Sequence, residues 1–264
     1  MKVLPPFSFP LFVPANRPER FAKAAASGAD AIILDLEDAV PLDAKDAARA
    51  ALAADFIDLP ILVRINGADT EWHEEDLKAA SRLPIGGIVL PKAAELEDIR
   101  RIAAVLPVVA LIETAQGIAQ ARVIATSGHA ARLAFGSVDY SADLGCAHVR
   151  DALANARSEL VLASRLGGLP APLDGVTTGI ADADEASDDA RYARSLGFGG
   201  KLLIHPNQVA PVREGFRPTA GEVDWARRVL ASGDGAASVD GAMVDEPVRI
   251  RARNILSREG TETP

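Results

Sequence analysis

Along the chain, short runs of consecutive apolar residues alternate with longer stretches in which apolar residues recur every three or four positions. The short runs are Leu11–Pro14, Ala31–Leu36, Ile61–Ile65, Gly87–Leu90, Val108–Ile112, Arg132–Phe135, Leu173–Thr177 and Lys201–Ile204. Strands that are apolar on both faces belong to a parallel sheet covered by helices. Between them, the Ala-rich periodic stretches predict helices over Pro18–Ala26, Asp43–Ala54, Glu74–Ser81, Glu95–Val105, Ile118–Thr126, Asp151–Leu166 and Asp184–Ser195. Gly28, Pro60, Pro84 and Gly197 punctuate the exits.

Alternating βα units fit either an open doubly wound sheet or a closed (β/α)8 barrel. An open nucleotide-binding sheet places a Gly-rich loop after its first strand. Here that strand leads into Pro14-Ala15-Asn16-Arg17-Pro18, which has no such glycines. A barrel of this kind takes about 250 residues, and the chain has 264. The expectation is therefore an α/β fold: one (β/α)8 TIM barrel domain over residues 1–264 with extra C-terminal helices. Those helices are expected at Gly221–Ser232 and Pro247–Ser257, an extension over about residues 221–258 broken by a loop at Ser232–Gly235. Glu259–Pro264 is expected to fray.

Composition narrows the function classes. The net formal charge is −9, which argues against nucleic-acid binding, where clustered Lys and Arg neutralise phosphates. The single cysteine, Cys146, excludes an internal disulfide and a Cys-based zinc site, and it is expected to serve packing. No apolar run approaches the roughly 18 residues of a membrane span. Lys2 is followed by Pro5, Pro6 and Pro10 rather than by the apolar core of a signal peptide, so a cytoplasmic location is expected.

A barrel gathers its chemistry at the C-terminal ends of its strands. Asp35, Glu37 and Asp38 close the second strand, Arg64 and Asn66 the third, and Lys92 follows the fourth. Glu113 closes the fifth, Asp139 follows the sixth, and His205 and Asn207 follow the eighth. Glu113 and Asp139 form the sharpest pair, because neighbouring strands lie about 4.8 Å apart and two carboxylates at such a spacing repel unless a cation lies between them. A hard ion such as Mg²⁺ takes one or two carboxylates with waters and substrate oxygens. Singly, Glu113 also reads as a helix N-terminal charge and Asp139 as a turn residue. Arg64, at a buried strand end, needs an anion: either Asp35, Glu37 or Asp38, or a substrate carboxylate held by its planar fork. A divalent ion flanked by an Arg suits a 2-oxo carboxylate and its enolate. Arg17, Arg20 and Lys23 form a basic patch, which reads either as a phosphate receiver or as a solvated helix face.

Several stretches also resemble one family. They are Phe12-Val13-Pro14-Ala15-Asn16-Arg17-Pro18-Glu19-Arg20-Phe21, Ile33-Leu34-Asp35-Leu36-Glu37-Asp38-Ala39-Val40 and Val63-Arg64-Ile65-Asn66. Leu90-Pro91-Lys92, Ile112-Glu113-Thr114, Phe135-Gly136 with Asp139, and the block from Gly197 to Gln208 continue the series in order. Together they resemble the citrate lyase beta-subunit family, which includes malyl-CoA and citramalyl-CoA lyases within the metal-dependent 2-oxo-acid aldolases. The resemblance implies a (β/α)8 barrel, Mg²⁺ on Glu113 and Asp139, and an oxo-acid carboxylate on Arg64. It also implies a CoA or acyl-carrier arm near Arg17, Arg20 and Lys23, and a homo-oligomer, often a trimer. The expected activity is carbon–carbon cleavage, or condensation, of a 3-hydroxyacyl thioester, with Arg64, Glu37 and Asp38 as catalytic candidates. The sequence departs from relatives at Gly136-Ser137-Val138-Asp139-Tyr140, where an acidic residue often precedes the Asp, and at Thr177–Asp182. Two other readings stay open: a Schiff-base aldolase using Lys92, and a non-catalytic thioester-binding subunit of a larger complex.

Overall fold

The computed structural model describes residues 3–259 except 234 and 236. Eight strands alternate with helices: β1 Pro10–Pro14, α1 Phe21–Ala25, β2 Ala31–Asp35, α2 Lys45–Ala50, β3 Ile61–Arg64, α3 His73–Ser81, β4 Gly87–Leu90 and α4 Leu96–Ala103. There follow β5 Val108–Ile112, α5 Ala115–Thr126, β6 Ala130–Phe135, α6 Ser137–Leu144, α7 Arg150–Leu166, β7 Leu173–Asp174, α8 Ala183–Leu196, β8 Gly200–Lys201 and α9 Val209–Phe216. The strands pair in parallel in sequence order from β1 to β8. The ring closes through a Leu11–Leu203 bridge, with Phe12 N donating to Leu203 O and Leu203 N to Pro10 O. The (β/α)8 barrel expected from the alternation is the fold.

The period-two geometry of strands explains why both faces are apolar. Ala31, Ile33, Leu62, Val89, Val109, Leu111 and Ala134 fill the barrel interior. Their neighbours Ile32, Leu34, Val63, Ile88, Leu90 and Ala110 face the helices. Phe7 and Arg132 plug the N-terminal end, where Arg132 donates to the carbonyls of Phe7 and Ala171. A Cβ at Gly200 would fall 1.9 Å from Ser8 O, so only glycine lets β8 close against the N-terminal segment.

The expected helix over 43–54 is shorter, a 3₁₀ turn at Leu42–Ala44 followed by α2. The seventh and eighth strands are shorter than expected as ladders, because closure of the ring turns their continuations into single bonds such as Leu202 N to Asp174 O. Helices α6 and α9 lie outside the stretches whose periodicity predicts a helix. Beyond the barrel lie α10 Ala220–Ala231, an antiparallel hairpin of β9 Ala237–Val239 and β10 Ala242–Val244, and α11 Glu246–Glu259. The C-terminal extension thus carries a hairpin between its two helices. It packs through Ala226, Val229, Val244 and Ala252. Glu259 ends α11, and the rest of the expected frayed tail, residues 260–264, lies outside the described residues. Among the described residues, no helix is long and apolar enough to cross a membrane.

Candidate functional site

Strand periodicity carries polar groups to the mouth. Ala31, Ile33 and Asp35 share the inner face of β2, as Leu62 and Arg64 share that of β3. Asp35 and Arg64 are register partners, so the guanidinium meets the carboxylate directly. Arg64 Nε donates to Asp35 Oδ1 at 2.6 Å and Nη2 to Asp35 Oδ2 at 2.7 Å. Its third nitrogen, Nη1, lies 3.1 Å from Asp38 Oδ2 and 3.0 Å from Glu37 Oε2. Burial opposes the Arg64 charge, but Asp35, Glu37 and Asp38 more than offset it and raise its pKa. Arg64 is therefore held by protein carboxylates, the first of the two partners its position allows, while still lining the mouth.

Glu37 is nearly buried, and burial raises its pKa against the pull of Arg64 and Lys92. Its Oε2, though beside Arg64, has no aligned hydrogen bond. Lys92 Nζ donates to Glu37 Oε1. Burial works against the Lys92 charge, yet the Glu37 contact outweighs it and raises the pKa. An ammonium held charged by Glu37 is the opposite of what Schiff-base chemistry needs, a neutral amine.

Beneath these groups, Lys45 Nζ donates to Leu36 O, Glu37 O and Asn66 Oδ1, each at 2.7 Å. Asn66 Nδ2 in turn donates to Asp76 Oδ2 at 2.6 Å, and His73 Nδ1 lies 2.9 Å from Asn66 O. This network pins the loop after β2, and the pattern of apolar strands carried no signal for Lys45 or Asp76.

Glu113 follows Val109 and Leu111 on the inner face of β5. Ile112 and Phe135 are register partners, so Glu113 meets Gly136 at the end of β6. Gly136 starts α6, whose first turn carries Asp139. Glu113 is 1% exposed, and Oε1 accepts the Lys92 backbone N–H at 2.7 Å. Burial pushes its carboxyl up to about 8, reinforced by the charges of Glu37 and Asp139 and opposed by Arg64. Neither Glu113 nor Asp139 forms a salt bridge among the described residues, so both carboxylates are left for a cation. No set of three or more His, Cys, Asp or Glu is arranged for a metal among those residues. Two carboxylates suffice for Mg²⁺, which keeps most of its octahedral shell for water and substrate oxygens. The donor chemistry fits that ion.

Glu113, Asp139, Arg64, Asp35, Ser137 and Phe12 line a cavity of about 340 Å³ whose remaining wall is largely apolar. On its far side, Ser137 Oγ lies 2.9 Å from His148 Nε2, a contact that the sequence pattern did not signal. A larger recess, about 590 Å³, opens at the opposite end of the barrel beside Phe9 and Arg213. Its one carboxylate, Asp30, is taken up by the N–H groups of Ser8 and Phe9, whereas the cluster of acids lies at the mouth. Arg17, Arg20 and Lys23 are exposed outside the mouth, next to Pro14, with Arg17 Nε on Glu19 at 2.6 Å. They do not line the cavity. His205 caps the turn after β8, its Nδ1 accepting from Asn207 N.

A profile described as HpcH/HpaI aldolase/citrate lyase matches residues 8–206. A citrate lyase subunit beta-like protein of Mycobacterium tuberculosis is 40% identical over 264 residues, covering 96% of each chain. A (3S)-malyl-CoA thioesterase of Cereibacter sphaeroides is 35% identical over 270 residues, covering 96% of this chain and 94% of its own. Among solved structures, CitE of M. tuberculosis in complex with magnesium, acetoacetate and coenzyme A superposes with a TM-score of 0.88 at 39% identity, covering 96% of this chain and 98% of that one. The matched span includes every strand of the barrel and every residue of its mouth, and the chain belongs to the HpcH/HpaI aldolase/citrate lyase family.

Proposed function

We propose that the protein is a Mg²⁺-dependent carbon–carbon lyase. It would cleave a 3-hydroxyacyl thioester of the citryl-, malyl- or citramalyl-CoA type into an oxo acid and an acyl thioester, or run the reverse condensation. The observation that carries the reading is the pair Glu113 and Asp139, which share the cavity wall and form no salt bridge among the described residues. The ligands named for relatives support it: magnesium with acetoacetate and coenzyme A in one CitE structure, and magnesium with oxaloacetate in another from M. tuberculosis.

When bound, Mg²⁺ supplies Lewis-acid polarisation of the substrate's carboxylate and hydroxyl oxygens. Glu113 and Asp139 hold it. Arg64 holds the oxo-acid carboxylate at its Nη1 edge, the side nearest solvent, where Asp38 is the most exposed of its three partners at 54%. Glu37, clamped between Arg64 and Lys92, fixes the orientation of both. The first turn of α6 adds unpaired N–H groups at Ser137, Val138 and Asp139, a favourable place for anionic oxygen. Leu111, Val176 and Leu202 keep water from the reacting carbon. Outside the mouth, Arg17, Arg20 and Lys23 receive the phosphates of the carrier arm.

The test is turnover of a thioester panel against Mg²⁺ concentration, with Glu113→Gln beside the parent protein. The reading expects Mg²⁺-dependent release of oxo acid, lost in the variant. Activity that survives EDTA, or is unchanged in Glu113→Gln, removes it. A second reading, hydrolysis of the thioester, is supported by the malyl-CoA thioesterase relatives. Release of free CoA without oxo acid would select it. No turnover of either kind, with co-purification of an acyl carrier, would select the non-catalytic subunit.

A further inference from the structure

We propose that Ser137 and His148 form the proton relay of this site. The Ser137 hydroxyl exchanges a proton with the substrate, and His148 holds that proton on the far side of the cavity wall. This deepens the lyase reading and rests on it.

Cleavage needs a base for the substrate hydroxyl and an acid for the carbon that leaves, and the carboxylates of the mouth are already engaged. Asp35 and Asp38 are bound to Arg64, and Glu37 is bound to Lys92. Glu113 and Asp139 are left for the cation. Of the four histidines, His73 is buried on Asn66 O and His205 is spent as a cap. His129 precedes β6 and so lies at the opposite end of the barrel. Only His148 touches the side chain of a residue that lines the cavity.

Ser137 lines the cavity and His148 a separate recess, and the two side chains touch. Ser137 opens α6 at the mouth and is 1% exposed. A Cβ at Gly175 would fall 2.1 Å from its Oγ, so the absence of a side chain there leaves the hydroxyl its place. His148 lies on the outer side, in a recess of about 240 Å³ beside Arg150, Arg157, Glu185 and Asp189. Its Nδ1 has no partner among the described residues, and the ring is exposed, so that nitrogen can exchange its proton with water. Burial lowers the imidazole pKa, Arg157 on α7 and Lys201 on β8 lower it further, and Asp189 on α8 and Asp174 on β7 oppose them. Arg150 is itself neutralised by Asp188 and Asp189. The ring is thus neutral at neutral pH and able to accept a proton.

In the cleavage direction the substrate hydroxyl gives its proton to Ser137 Oγ as Ser137 passes its own to His148 Nε2. The O–H electron pair becomes the new carbonyl bond, the carbon–carbon bond breaks, and its electrons form the thioester enolate. The imidazolium then returns a proton through Ser137 to the enolate carbon. The relay ends as it began, and no outside reactant is consumed. Ser137 is the catalytic residue of the pair, and His148 acts through it.

The test uses the full chain with Mg²⁺ and malyl-CoA or citramalyl-CoA. His148→Ala should lose about 100-fold or more in kcat, with KM within a few-fold. The acidic limb of its kcat/KM profile should disappear, and added imidazole should restore part of the rate. Ser137→Ala should lose as much without rescue by imidazole. An unchanged rate or an unchanged acidic limb in His148→Ala overturns the relay while leaving the lyase reading intact. A parent protein that cleaves neither thioester removes the reading and the relay's role together. Independently of turnover, the ¹⁵N signal of His148 Nε2 should shift when Mg²⁺ and pyruvate are added to the parent protein, and should not shift in Ser137→Ala. The absence of that shift in the parent protein overturns the relay even where cleavage is observed.

Discussion

Gly136 and Glu113 stand so close that a Cβ on the glycine would fall 2.2 Å from Glu113 Oε2 and 2.4 Å from its Cβ. The backbone of Gly136, at φ −89° and ψ 74°, is open to ordinary residues. The glycine is thus set by proximity rather than by torsion. Gly136→Ala should fold and push the Glu113 carboxylate out of place. We expect a loss of about 10- to 100-fold in Mg²⁺ affinity, as for groups that support a metal ligand. Isothermal titration with Mg²⁺ reads it, and parent-like affinity would mean that Glu113 is not a ligand.

The same carboxylate links metal removal to pH. Its pKa in the metal-free protein is about 8, raised by burial and by the neighbouring acids, whereas in the unfolded chain it titrates in the ordinary glutamate range. Between those values the folded state binds the extra proton. Its contribution to stability is present at low pH and lost as pH rises toward 8. With EDTA, the Tm should fall from pH 6 to pH 8, and saturating Mg²⁺ should reverse most of that fall. Glu113→Gln should flatten both responses. Equal EDTA curves for parent and variant would contradict the assignment.

Arg64 is the counter-charge for three acids. Removing one member of a buried pair costs about 3–5 kcal/mol, because the partner charge is left bare. Arg64→Ala should therefore unfold at clearly lower urea. Arg64→Lys keeps the charge without the fork, so it should fold better than Arg64→Ala and still lose activity. Urea midpoints and turnover together separate the structural part from the binding part.

The basic face offers a different test. Arg20 and Lys23 are exposed, and their side chains make no hydrogen bond or salt bridge among the described residues. Exposed charges outside any ion pair contribute little to stability. Arg20→Glu with Lys23→Glu should leave Tm nearly unchanged and raise KM for a CoA thioester several-fold at low salt. The effect should fade at high ionic strength. A KM indifferent to both charge and salt would place the carrier arm elsewhere.

The barrel and its polar mouth were legible because strand periodicity writes them into the chain. Asp35 follows Ile33, Arg64 follows Leu62 and Glu113 follows Leu111, each two residues beyond an inner apolar residue. Helix α6 was hidden because Gly136-Ser137-Val138-Asp139 has the composition of a loop. The hairpin of β9 and β10 has strands of only three residues each, too short for a pattern to emerge. His148 was invisible for another reason. It lies outside any helix or strand, and its tie to Ser137 exists only once α6 has turned the chain back.

Lys92 separates what its backbone does from what its side chain does. Its φ is 49°, in the left-handed region that glycine adopts freely and other residues enter at a cost of about 1–2 kcal/mol. In that conformation its N–H points at Glu113 Oε1, while Nζ reaches Glu37. Lys92→Gly relaxes the torsion and keeps the N–H, so Mg²⁺ affinity should stay within about two-fold. It removes the Glu37 contact, so the orientation of Arg64 loosens and kcat should fall. Lys92→Val adds a β-branched residue to the same torsion, and it should weaken both folding and Mg²⁺ binding. Borohydride should trap no substrate on the parent protein, because the ammonium stays charged beside Glu37. A trapped adduct on Lys92, or equal Mg²⁺ affinity in Lys92→Gly and Lys92→Val, would contradict this division of labour.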